Sequence, residues 1–137
     1  MKTKISNLVP TLLITLFFAF VVSCSKDDDK DTGGNNSRLV KYELSGSYSG
    51  TLLIVYINED GVNQLADNVS LPWSKEVTIK GNSTTPLILS ANTEVGGQGQ
   101  ANQTITGKIS VGGVQKKTAS TNSTSSGYID VTVSTSL

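Results

Sequence analysis

The chain has 137 residues, 11 basic and 11 acidic side chains, no histidine and one cysteine. That length holds one small domain, and the balanced charge argues against a nucleic-acid partner, whose phosphates call for a basic surplus. Lack of histidine removes the commonest general base and metal ligand, and the single Cys24 excludes an intrachain disulfide or a cysteine zinc cluster.

The first element is a targeting segment. Lys2 and Lys4 give a positive start, and Leu8 to Val22 is almost wholly apolar over 15 residues. A membrane-spanning helix needs about 20 such residues, so the length suits a signal peptide better. Pro10 also weakens a long helix. Val21-Val22-Ser23-Cys24 resembles a bacterial lipobox. The resemblance implies that the Cys24 thiol is diacylated and that the Ser23–Cys24 bond is cut. Several acyl chains on one cysteine supply the two or more signals that stable anchoring needs. Lys26-Asp27-Asp28-Asp29 follows at once and is similar to the export signal of Bacteroidetes surface lipoproteins. Thr32 to Ser37 reads as flexible tether. The expected organisation is therefore a signal peptide over 1–23, a lipidated cysteine and acidic tether over 24–38, and a folded domain over 39–137.

Within that domain the pattern turns to strands. Val40, Tyr42 and Leu44 alternate with Lys41, Glu43 and Ser45, the period of a half-buried strand. Gly46 to Gly50 reads as a bend. Thr51 to Ile57 is apolar on both faces and suits a central strand. Asn58 to Gly61 is a turn, and Val62 to Leu65 begins the return. Pro72, in Leu71-Pro72-Trp73, belongs at an edge, a bulge or a strand start because it cannot donate to a ladder. Val77 and Ile79 alternate inward, then Leu87, Leu89 and Ala91 after a polar turn over 81–85. Gly96 to Gln100 reads as a flexible loop. Ile105, Ile109 and Val111 form the next inner face, with Lys108 and Ser110 outward. Gly112-Gly113 fits a two-residue hairpin turn. Val114 to Ala119 reads as an edge strand guarded by Lys116 and Lys117, and Ser120 to Ser126 as a loop. Ile129, Val131 and Val133 close the domain. No amphipathic helix follows the signal segment. The fold class is all-β: an antiparallel β-sandwich of seven or eight strands.

Val40 to Val111 resembles the mycobacterial small membrane protein (MmpS) family and its bacteroidete lipoprotein relatives. The resemblance rests on Lys41-Tyr42-Glu43-Leu44-Ser45-Gly46, on Ile54 to Gln64, on Leu71 to Lys80, on Leu87 to Asn92 and on Thr104 to Gly113. Leu71-Pro72-Trp73 before an alternating strand is its most specific piece. The resemblance implies an immunoglobulin-like sandwich held at a membrane, and an accessory role beside an exporter. It also implies a cysteine near Gly107 and another in the last strand. Neither is present here, and the lipobox cysteine takes the place of a transmembrane helix.

Chemistry-bearing patterns are sparse. Serines and threonines have no histidine to activate them, and the acidic residues of the domain fall on turns or outward strand positions. Asn58-Glu59-Asp60-Gly61 and Asp27 to Asp31 lack the alternating ligand spacing of a calcium loop. No enzyme activity, metal or cofactor is expected. Two functions remain. One is an outer-membrane lipoprotein, lipid-anchored through Cys24 and exposed at the cell surface, that binds another envelope protein such as an exporter. The other is a surface module for a glycan or other ligand, with Leu71, Pro72 and Trp73 as binding or core motif.

Overall fold

The computed structural model describes residues 38–80 and 84–137. The readings made for Ser23, Cys24, Lys26, Asp27, Asp28 and Asp29 lie outside those residues, as does most of the turn over 81–85. Eight strands are present: β1 (Arg38–Gly46), β2 (Leu52–Ile57), β3 (Asn63–Val69), β4 (Trp73–Ile79), β5 (Pro86–Thr93), β6 (Thr104–Val111), β7 (Val114–Asn122) and β8 (Asp130–Ser136). Arg38, assigned to the tether, already belongs to β1. The strands form two antiparallel sheets of four, sheet A in the order β4-β1-β6-β7 and sheet B in the order β3-β2-β5-β8. The domain is a β-sandwich, as its alternating sequence predicts.

Period-two patterning aims one face of each sheet at the other. From sheet A come Val40, Tyr42, Leu44, Val77, Ile79, Ile105 and Ile109, and from sheet B Leu52, Ile54, Leu87, Leu89, Val131 and Val133, all buried. Each large side chain among them contributes about 1.5–3 kcal/mol by leaving water. Gly107 lies in this layer, and a Cβ there would sit 2.8 Å from Val133 Cγ2. Gly107, near which the resemblance implies a cysteine, thus faces Val133 of the last strand, where it implies another, across the core.

One local reading is refined and one corrected. Ser110 keeps the outward face, opposite Lys41 of β1, but is covered there, and Val111 keeps the inner face, opposite buried Val40, half-buried against the core. Beside them the β6–β7 register shifts between Ile109 and Ser110, leaving Lys116 as the extra residue of β7. The stretch from Ser120 is not wholly loop, because β7 continues to Asn122. Gly112 and Gly113 do make the hairpin turn, both with positive φ (55° and 78°).

The Gly96–Gln100 loop is not free; it is tied to the core by Tyr48. This side chain follows β1 and is buried. Its hydroxyl donates to Gly127 O (3.0 Å), accepts from Gly99 N (3.1 Å) and meets Thr93 Oγ1 at 2.8 Å. One proton and two lone pairs satisfy that set. Gln103 adds a second clasp, its Oε1 accepting from Ser49 N and Gln100 N at 3.0 and 2.8 Å. Three connections are thus pinned at one end of the sandwich. The opposite end holds Arg38, the Gly112-Gly113 turn and the Asn58–Gly61 turn.

Candidate functional site

The outward faces of the two sheets differ in chemistry, and that difference locates the candidate sites. On sheet A the outward side chains are all polar through the middle of the sheet. Lys41 and Glu43 of β1 stand opposite Ser110 and Lys108 of β6, and Ser45 stands opposite Thr106. Glu43 is clamped by Lys108 (2.7 Å) and Lys41 (3.2 Å). The hydrogen bond from Lys108 is the main cause that holds the Glu43 carboxyl below its ordinary value, with partial desolvation opposing it. Glu43 therefore stays an anion at neutral pH.

A cleft of about 450 Å³ opens on this face. Glu43, Ser45, Ser74, Thr106, Lys108, Gln115 and Thr118 line it, with Leu44, Pro72 and Trp73. Four strands supply these residues, so none of the grouping is visible as a local motif. The alternation of Glu43 and Lys108 with buried neighbours, and the Leu71-Pro72-Trp73 motif, were its traces in the sequence.

The Leu71-Pro72-Trp73 motif lies at the rim. Pro72 is exposed just before β4, an edge strand, where its missing N–H costs no ladder bond. Leu71 and Trp73 are half-buried against the core. Trp73 packs on Tyr56 of the other sheet with ring centroids 5.7 Å apart, and Tyr56 packs on Tyr42 at the same distance. The motif therefore closes one seam of the sandwich while its outer atoms border the cleft.

Sheet B presents the opposite character. Leu53 and Val55 of β2 and Ile88 of β5 point outward and are half-buried. Leu65 of edge strand β3 stands opposite Val55 and is 60% exposed. Val62, at the turn before β3, is 58% exposed. Polar neighbours rim this apolar strip: Ser90 bonds Thr132 at 3.0 Å, and Asn92 reaches Ser90. The signal was present in the sequence, since Thr51 to Ile57 is apolar on both faces. A central position in the sheet accounts for the inner face only.

At the far turn, Asn58 Oδ1 accepts from the amides of Asp60 and Val62, and Asp60 pairs with Lys80 at 2.9 Å. Those oxygens serve the turn itself.

Fold and surfaces together define a small β-sandwich domain with two chemically distinct outer faces. The chain belongs to the Mycobacterium membrane protein family, whose sequence profile matches residues 12–135. This is the MmpS-like family that the sequence resembles, and it is membrane-associated. No curated protein matches the chain.

Proposed function

We propose that this protein is a non-catalytic envelope lipoprotein, anchored by lipid on Cys24, that binds another envelope protein through the outer face of sheet B. The observation that carries the reading is the outward apolar strip of Leu53, Val55, Leu65 and Ile88, with Leu65 exposed, the other three half-buried, and polar groups at its rim. Exposed apolar patches with polar rims favour protein contacts. Family membership supports an accessory role in the envelope, and an exporter is the partner the resemblance implies.

The anchor narrows the partner further. The stretch from Cys24 to Arg38 spans at most about 50 Å when fully extended. A domain held that closely meets proteins resident in the same membrane. The acidic run Lys26 to Asp29 supports a place on the outer membrane at the cell surface, as in bacteroidete lipoproteins. Arg38 enters β1 at the end opposite the Tyr48 clasp.

Full-length protein purified from its own membranes tests this. Mass spectrometry should find acyl chains on Cys24 as the first residue. Cross-linking should join the domain to a membrane protein, and Leu65→Lys with Val55→Lys should abolish that product without lowering Tm. A bare Cys24 thiol would overturn the anchor. An undiminished cross-link in the double variant would overturn the assigned face.

A further inference from the structure

We propose that the cleft on the outer face of sheet A binds a neutral saccharide. This site is separate from the sheet B face and does not depend on the role assigned to that face.

The argument starts from what the cleft offers. Ser45, Ser74 and Gln115 line it, and their side chains make no hydrogen bond to any other described residue. Two hydroxyls and a carboxamide can each both donate and accept, the pattern that suits a ligand rich in hydroxyl groups. Each Glu43 oxygen takes one lysine, which leaves lone pairs free for further donors. Lys108 uses one of its ammonium protons on Glu43 and keeps others to donate. Pro72 and Trp73 add apolar surface at the rim, where the C–H side of a sugar ring can leave water.

Charge then selects among ligand classes. Glu43 and Lys108 are the charged side chains that line the cleft and they neutralise each other, while Lys41 pairs with the second Glu43 oxygen from outside the lining, so the cleft itself offers a phosphate or nucleotide no net positive charge. A wholly apolar ligand would strip water from the two serines and Gln115 and give no hydrogen bond back. The volume of about 450 Å³ lies within the range of ligand sites, about 300–1,000 Å³. An uncharged molecule with many hydroxyls and apolar ring faces meets all three conditions.

Trp73 is the only tryptophan and borders the cleft, so its fluorescence reports occupancy. The probes are soluble gluco-, manno- and galacto-oligosaccharides, each from monosaccharide to hexasaccharide, with inorganic phosphate as control. At least one series should give a saturable change, matched by heat of binding in calorimetry. Lys108→Met and Gln115→Ala should each weaken it about tenfold. Ser45→Phe, at an exposed position, should abolish binding with Tm unchanged. Lys80→Met, at the far turn, should leave binding as it is. Affinity that rises with chain length marks a polysaccharide, and equal affinity across lengths marks a free sugar. The proposal fails if no saccharide gives a saturable signal at concentrations on the order of 10 mM. It fails equally if Ser45→Phe binds normally, or if phosphate binds more tightly than every saccharide.

Discussion

Tyr42, in the middle of the sandwich, and Tyr48, at its clasped end, are both buried, yet their hydroxyls meet opposite fates. The Tyr48 hydroxyl joins three chain segments through Gly127, Gly99 and Thr93. The Tyr42 hydroxyl is buried with no hydrogen-bond partner. Desolvation pushes its pKa far up, and the Ile57 backbone nearby opposes that rise without reaching a normal bonding geometry. The difference follows from backbone supply. In the middle of a sheet the ladders consume their own N–H and C=O groups, so a hydroxyl arriving there finds none spare. Where strands stop, amides and carbonyls lose their ladder partners, and a side chain that reaches them completes the accounting.

The contrast can be broken most forcefully at Gly127. Its φ is 77°, and a Cβ there would collide with the Gly99 carbonyl. Gly127→Ala should therefore cost about 3 kcal/mol or more, from left-handed strain plus backbone displacement. In a domain of this size each kcal/mol lowers Tm by about 4–8 °C, which calorimetry resolves easily. Tyr48→Phe keeps the ring but removes one partner each from Gly127 O, Gly99 N and Thr93 Oγ1; since these still bond one another or Ile129, the cost should be about 1 kcal/mol. Faster hydrogen exchange at the Gly99 amide would accompany it. Tyr42→Phe should do the reverse, leaving stability unchanged or raising it by about 1 kcal/mol, because no bond is lost. A clear drop in its denaturant midpoint would show that the interior hydroxyl does hold a partner.

The smallest effect belongs to the exposed side of the same strand. Glu43 has a folded pKa below the ordinary 4.5, chiefly through its hydrogen bond from Lys108. A depressed carboxylate stabilises the fold above its unfolded pKa, and that contribution is lost as pH falls through the folded value. Glu43→Gln should cost less than about 1 kcal/mol near neutrality, since all three partners are partly solvated. The two proteins should melt alike in acid, and high salt should narrow the gap at pH 7.

The same contrast explains what could be read in advance. Val40, Tyr42 and Leu44 sit two residues apart, so their shared face is a local fact, and the sandwich followed from repeating that pattern along the chain. The partners of Tyr48 lie 45 to 79 residues away, and nothing around it beyond a Gly/Ser bend hinted at a hub. Ser110 faces out as the alternation says, but its burial, beside a bulge in the neighbouring β7, leaves no mark in the sequence of β6. The cleft was hidden for a similar reason, since cross-strand registry brings Glu43, Lys108 and Gln115 together. Leu71-Pro72-Trp73 stood out as a motif, but only the fold shows that it both seals a seam and borders a cavity.

The place of β1 has a consequence for how the domain is made. It is the first strand among the described residues, yet its neighbours in sheet A are β4 and β6. One of its edges waits for β4, which ends at Ile79, and the other for β6, which ends at Val111, and long-range pairings of that kind form slowly. Sheet A therefore closes around its earliest strand in two steps, the second of them set by a segment that starts only at Thr104.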